Sequence, residues 1–277
     1  MKHIQSKSLL TLIIIFFIIG FSTSAKDIIG TGSRFLSFNT TDSLSPDVTI
    51  ESTLVRNPEY VVYPESLEEH REESKSYVKQ YSSRERSYII HMFNKGKNFF
   101  PKAIHIFDKY DLPVELQVLP ALESNFNANA VSTAGAVGYW QFMSELAGEY
   151  GLSVGGKTDE RKNFSKSTIA ASKFFRDQLN FFDNDLLLTV AAFNCGQGRV
   201  RSAIKKTDKS NPDFWDIKKY LPNETRIFVM KFISLNVIAA NYDKFLARKL
   251  NLNEPLSVQL ASIDSSKNDN SISRNSL

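Results

Sequence analysis

Apolar residues recur at three- and four-residue steps along most of this chain, the spacing that stacks side chains on one face of an α-helix. Residues 26 to about 65 are rich in Ser, Thr, Asp and Gly and lack a sustained period, which predicts an extended leader. Helix is expected from SLEEHREESKSYVKQY, where Ser66 and Glu69 have the spacing of a capping box. Ser82 and Glu85 repeat that spacing ahead of Tyr88, Ile89, Met92 and Phe93, and PKAIHIFDKY predicts a further helix ending near Asp111.

The second half of the chain reads the same way. From Thr168 to Phe182, the residues Ile169, Ser172, Phe175 and Leu179 fall in helical step. Asp183-Asn184-Asp185 then caps LLLTVAAFN, a run too continuously apolar for a surface, and Gly196 is placed to stop it. Another helix is predicted from about Asn223 through Tyr242, with Ile227, Met230, Ile233, Leu235 and Ile238 on a broad apolar face. One or two short strands are the most the pattern allows, so the fold class is mainly α. The expected organisation is a signal peptide at 1–25, a polar N-terminal leader at 26–80 with a helix from 66, one helical domain at 81–250, and a flexible polar tail at 251–277.

Composition sharpens this picture. Forty-two per cent hydrophobic residues and 21 phenylalanines in 277 residues supply a core for one domain. Basic MKHIQSK leads into LLTLIIIFFIIGF, whose apolar core of roughly a dozen residues is shorter than the ~20 a bilayer span needs. Small residues at Thr23 and Ala25 suit a processing site, so the protein is expected to be periplasmic or secreted, with no membrane insertion once the signal is removed. An uncleaved anchor is the alternative. The single Cys195 excludes an internal disulfide. A formal charge of +4 is too small and too evenly spread to argue for nucleic acid, though it suits an anionic polymer such as a cell wall.

The chemistry concentrates near Glu123. Between Leu112 and Ser124, Val114, Val118 and Ala121 share one helical face, while Leu116 and Leu119 lie opposite, seven and four residues before Glu123. The acid thus continues an apolar stripe at the end of a core helix, partly out of water; the competing reading is a glutamate that emerges into solvent where the helix stops. Pro120 removes a backbone donor nearby. A glycine- and aromatic-rich loop follows, and the next acids are Glu145 and Glu149. Most glycoside hydrolases pair two carboxylates, so a lone acid here points to glycosidic chemistry without a paired base.

Three separated segments together carry a resemblance. Glu123-Ser124 ends a helix, Ser132 follows nine residues after the acid, and Gly135-Ala136-Val137-Gly138-Tyr139-Trp140-Gln141 continues into Phe142-Met143. Later come Asp159-Glu160-Arg161 and Ala192-Phe193-Asn194-Cys195-Gly196-Gln197-Gly198. In this order the chain, over roughly 82–245, resembles the lytic transglycosylases of the lysozyme-like SLT superfamily, most closely the membrane-bound transglycosylase D type. The resemblance implies a lysozyme-like helical domain with a central glycan-binding groove. It also implies cleavage of the MurNAc-GlcNAc β-1,4 bond of peptidoglycan glycan strands, with no cofactor.

By the same resemblance Glu123 is the catalytic residue, and Ser124, Ser132, Gly135, Gly138, Tyr139, Gln141, Phe142, Phe193 and Asn194 meet the substrate or support those that do. Ser132 is expected to bond the N-acetyl group. Ser124 and Gln141 position sugar or acid, although a serine at a helix end equally bonds its own backbone. Gly135 and Gly138 let the loop backbone approach the glycan. Tyr139 has a better claim to a sugar face than Trp140, which reads as core. Trp140, Phe142 and Phe193 are candidate apolar walls that would raise the pKa of Glu123. Asn194 is expected to bond loop backbone near the acid.

Phe193 departs from the family, whose members usually carry tyrosine there; the ring is kept and a hydroxyl is lost. Two other functions stay open: a lysozyme-type hydrolase on the same fold, and a catalytically weak wall-binding scaffold. A thiol nucleophile at Cys195 paired with His3, His70, His91 or His105 is weaker than a small residue closing a helix, and the histidines lack metal-ligand spacing.

Overall fold

Among the described residues regular structure begins after Pro64, whose ring-fixed φ of −55° leads into a 3-10 turn at Glu65–His70. The computed structural model describes residues 61–155 and 158–252. The signal peptide, most of the leader and the tail beyond residue 252 lie outside the described residues. The elements are α1 (Arg71–Arg84), α2 (Arg86–Gly96), α3 (Phe100–Asp108), α4 (Leu119–Ser124), α5 (Ser144–Glu149), α6 (Phe164–Phe181), α7 (Leu186–Cys195), α8 (Gln197–Ile204), α9 (Phe214–Ile217), α10 (Asn223–Ala240) and α11 (Tyr242–Leu246). Short 3-10 turns at Val114–Val118, Glu160–Lys162 and Lys218–Tyr220 join them. Among the described residues the only β pairing is a pair of isolated bridges, Val131 with Val137 and Val137 with Phe142. The mainly α reading holds.

The chain divides into two units. One holds residues 86–232 of the described chain, and the other holds 61–85 with 233–252. In the smaller unit, Asn241 binds the backbone of Val62 from both sides: its Nδ2 donates to the Val62 carbonyl at 2.6 Å, and the Val62 N–H donates to its Oδ1 at 2.8 Å. Arg71 lies over the Tyr63 ring at 4.2 Å and pairs with Glu68 at 2.7 Å. Helical residues therefore run from 65 to 84, and the expected division at residue 81 falls inside α1.

Neither capping box forms. Pro64 occupies the first N-cap, so Ser66 already lies inside the 3-10 turn. Ser82 sits within α1 and returns its hydroxyl to the Lys79 carbonyl at 3.1 Å.

The larger unit is built around aromatic and aliphatic side chains with no exposure, among them Trp140, Phe175, Leu116, Leu119 and Phe214. Trp140 is core, as expected, and its indole N–H donates to Thr168 Oγ1 at 3.0 Å, which satisfies the one polar atom it buries. Helix α6 starts at the Asn163 cap, whose side chain accepts from Lys166 N, and buries Ala171, Phe175 and Leu179 while Ile169 stays exposed. Helix α7 is largely apolar and buried up to Ala192, with Phe193 and Asn194 half-buried near its end; the Asp185 carboxylate caps it by accepting from Leu188 N at 2.7 Å. Gly196, at φ 88°, ends it in a conformation that favours glycine.

Candidate active site

Glu123 reaches its place through a change of helix type. Val114–Val118 winds as a 3-10 turn, and α4 then starts at Leu119 with Pro120 in its first turn, where a missing N–H costs nothing. Pro120 is therefore a helix start, not a break. The 3-10 turn rotates the faces away from those of one continuous α-helix: Val114 is 40% exposed while Leu116, Val118, Leu119, Ala121 and Leu122 are buried. Two successive non-glycine residues in the left-handed region, Asn125 at φ 49° and Phe126 at φ 53°, then end α4 directly after Ser124. Their N–H groups close on the Ala121 and Pro120 carbonyls, at 2.9 and 3.2 Å. Such backbone persists where surrounding packing over-determines it, and here it aims the end of α4.

Part of Glu123 reaches the surface, but protein packed about its carboxyl raises the pKa from 4.5 to about 8. Desolvation is the larger cause and the charge of Glu224 the smaller. Glu224 lies in the first turn of α10, and burial raises its pKa as well. No sequence signal near Glu123 marks Glu224, because the two are brought together only by folding. Next to Glu224, Thr225 Oγ1 donates to Asn194 Oδ1 at 2.8 Å, which fastens the end of α7 to the start of α10. Asn194 was expected to bond loop backbone; it bonds Thr225 instead, beside Glu224.

The loop that follows α4 is closed on itself by backbone. Ser132 N donates to Ala136 O at 2.9 Å, Gly138 N to Ala130 O at 2.9 Å, and Val137 N to Phe142 O at 3.1 Å. Ser124 ties α4 to this loop: its hydroxyl donates toward the Tyr139 carbonyl at 2.9 Å and the Pro120 carbonyl at 3.1 Å, and accepts from Asn127 N at 3.2 Å. Gln141, at φ 49°, spends both amide hydrogens on the Gly138 and Ala130 carbonyls at 2.9 and 3.2 Å. Its side-chain oxygen is what it retains for a ligand. Ser132 Oγ accepts from Ala136 N at 3.0 Å and keeps its own proton for donation.

Two of the expected roles change. Phe142 is 1% exposed, so its ring is core and does not face a glycan. Gly138 is needed for packing: at φ 84°, a Cβ there would meet the Arg161 carbonyl at 2.1 Å. Gly135, at φ 89°, has open space beside it and needs only the backbone freedom. Tyr139 is half-buried, with its ring edge-on to Phe164 at 5.1 Å and tilted against Phe99 at 5.4 Å. Phe193 is half-buried and packs on Phe175 at 5.0 Å, Phe174 at 5.6 Å and Trp140 at 6.2 Å.

Arg161 does more than the sequence discloses. It is 6% exposed, takes Asp159 in a two-pronged pair at 2.7 and 2.9 Å, and donates to the Phe142 carbonyl at 3.0 Å. The guanidinium holds the Asp159 carboxyl below its usual range. The charged turn is thus the buttress of the loop after Glu123. Asn125 Oδ1 is buried and has no hydrogen-bond partner among the described residues. Burial raises the Cys195 thiol above its ordinary pKa, which leaves a poor nucleophile. No group of three or more metal-ligating side chains is found among the described residues, and no described helix is long and apolar enough to cross a membrane.

A half-buried carboxyl group with a raised pKa at a helix end, followed by a glycine-rich loop, is an arrangement suited to giving a proton to a bound ligand near neutral pH. Residues 107–215 match the transglycosylase SLT domain. It is 34% identical over 180 residues to membrane-bound lytic murein transglycosylase D of Escherichia coli K12, covering 64% of this chain and 38% of that protein. It is 35% identical over 119 residues to a putative tributyltin chloride resistance protein of an Alteromonas species, covering 43% of this chain and 58% of that one. The chain therefore spans well under two thirds of the length of these relatives. Among solved structures, lytic transglycosylase Slt of Pseudomonas aeruginosa, in an inactive mutant form, is 20% identical with a TM-score of 0.44, covering 57% of this chain and 25% of that one.

Proposed function

We propose that this protein is a peptidoglycan lytic transglycosylase in which Glu123 acts first as general acid and then as general base. The observation that carries the reading is the Glu123 carboxyl, pushed up to about 8 by desolvation and by Glu224, so that about nine-tenths of it holds a proton at pH 7. The acid gives that proton to the oxygen of the MurNAc-GlcNAc β-1,4 bond, and the C1–O bond breaks. The substrate's own N-acetyl oxygen stabilises the cationic C1, which removes the need for a protein nucleophile. The Glu123 carboxylate then takes the proton of the MurNAc C6 hydroxyl, whose oxygen bonds C1 and leaves a 1,6-anhydro end. No water is consumed.

The support is threefold: the SLT match, the placement of Glu123 on a rigid helix end, and the tethers from Ser124 and Arg161 that fix the following loop. In this role Ser132 donates its remaining proton to the N-acetyl carbonyl, and Gln141 offers its side-chain oxygen to a sugar hydroxyl. Export by the N-terminal signal places the protein in the periplasm or outside the cell, where this substrate lies.

The test is a digest of purified peptidoglycan with the mature protein and with Glu123→Gln, the soluble products read by mass spectrometry before and after borohydride. Anhydro products that resist reduction, and that vanish with the variant, are expected. Reducible products one water heavier would replace this reading by a hydrolase. The nearness of Glu224 specifically favours that second reading, because a second carboxylate near the acid is what water activation needs.

A further inference from the structure

The charge expected to be evenly spread is concentrated instead in one stretch of the chain. Residues 197–220 hold seven Lys and Arg against three Asp, so this short stretch carries the chain's whole formal charge of +4. It comprises α8, the α9 turn and the 3-10 turn Lys218–Tyr220, all in the larger unit. The cations are gathered on aromatic rings. Lys206 and Lys219 share the Tyr220 ring, at 5.8 and 4.9 Å from its centroid, and Lys218 stands 4.5 Å from the centroid of Trp215. Arg201 lies 5.7 Å from the centroid of the exposed Phe181 ring. Each negative ring face attracts the cation that lies over it.

The acids of the stretch do not neutralise the face. Asp213 and Asp216 close a capping box on each other's backbone N–H groups, and Asp216 pairs with Lys209. Among the described residues, none of Arg201, Lys205, Lys206 and Lys219 has a carboxylate partner. The face also begins beside the candidate active site: Arg199 donates to the Cys195 carbonyl at 3.4 Å, one residue after Asn194, and α8 leads away from there for about 12 Å.

We infer that this basic face binds the carboxylates of the peptide stems on the glycan strand whose sugar backbone enters the site at Glu123. The inference rests on the lytic reading above. A strand held in the site carries its lactyl-linked peptides outward at each MurNAc, and their free carboxylates are the anions such a strand presents. Lys206 and Lys219 beside Tyr220 each offer a carboxylate a charged donor, without a fixed acid to displace.

The experiment uses the mature chain and the double variant Lys206→Glu/Lys219→Glu, two exposed or half-exposed surface positions whose folding is checked by circular dichroism. Initial rates are compared on peptidoglycan bearing its stems and on the same glycan stripped of stems by an amidase. The double variant is expected to raise KM on stem-bearing substrate roughly tenfold while leaving kcat and the KM on stripped glycan unchanged. The wild-type preference for stem-bearing substrate is expected to shrink as salt rises. An equal change on both substrates, or none on either, overturns the inference. So does a variant that loses binding to phosphatidylglycerol vesicles and keeps its preference for stems, which assigns the face to a membrane. If neither protein cleaves, the lytic reading fails by itself. Sedimentation with insoluble sacculi then decides the face, and only a stem-dependent loss of binding in the double variant sustains it.

Discussion

The Ser124 hydroxyl lies 2.9 Å from the Tyr139 carbonyl and is the polar link between the helix that carries Glu123 and the loop folded against it. It also reaches its own helix at the Pro120 carbonyl. The same hydroxyl thus makes the backbone bond of a helix-end serine and a bond to the following loop. Ser124→Ala should cost about 1 kcal/mol, and activity should fall further than that loss of stability explains. Thermal melts beside turnover at a temperature where the variant is fully folded separate the two. Unchanged turnover there would reduce Ser124 to a helix cap.

Glu123 is a group whose folded-state pKa lies above its unfolded value, so ionisation disfavours the folded state. Stability should therefore decline as pH rises from the unfolded value near 4.5 through about 8, and level off above that. Glu123→Gln removes this cost. The variant is expected to be inactive yet more stable than wild type at pH 7, by an amount on the order of 3 kcal/mol, and to lack that part of the pH dependence. Denaturant melts at pH 5, 7 and 9 check it; a variant less stable than wild type at pH 7 would show that the carboxyl is engaged in bonds that stabilise it.

Catalysis by a protonated Glu123 predicts an alkaline limb in kcat/KM near pH 8. Glu224→Gln takes away a neighbouring negative charge, which lowers the Glu123 pKa and moves the limb to lower pH. Because desolvation is the larger cause, the limb should remain well above 4.5. A pH–rate profile of the two proteins reads this directly. If Glu224 instead activates water, the variant loses turnover at every pH.

Gly135 and Gly138 share a left-handed backbone but not a reason for it. Gly135→Ala meets open space and should cost about 1–2 kcal/mol from backbone strain alone. Gly138→Ala drives its Cβ into the Arg161 carbonyl and should cost more, on the order of 3 kcal/mol, with loss of activity as the loop shifts. Equal midpoints in denaturant for the two variants would remove the role assigned to the Arg161 buttress.

The parts of the fold that follow from local pattern were legible in the sequence, and the parts that follow from tertiary contact were not. Helices α6, α7 and α10 announce themselves through apolar spacing, and Asp185 and Gly196 mark the ends of α7 where they were expected. Ser66 and Ser82 carry the spacing of a cap without its context, because a proline-led 3-10 turn precedes one and α1 runs through the other. Glu224 stayed hidden because it lies 101 residues after Glu123 in the chain, and only folding brings its charge to bear on that carboxyl. Phe142 and Gly138 looked like substrate contacts on motif grounds, but one fills the core and the other makes room for the backbone of Arg161.

Phe193 is the residue at which this chain departs from the pattern it otherwise resembles, and its surroundings set what restoring tyrosine should do. The ring stands among Trp140, Phe174 and Phe175, all at aromatic contact distances, so its position is fixed by packing and not by a hydroxyl. It is half-buried, which gives a new phenolic oxygen a way to meet solvent or substrate without being sealed in the core. Phe193→Tyr should thus leave stability within about 1 kcal/mol of wild type. A neutral hydrogen bond made only in the transition state is worth about 1 kcal/mol, so activity should be equal or up to roughly fivefold higher. Turnover of the variant on purified peptidoglycan, beside its melting temperature, measures both. A collapse of activity with stability retained would mean that the site has been rebuilt around phenylalanine, with the hydroxyl intruding on the place the substrate takes.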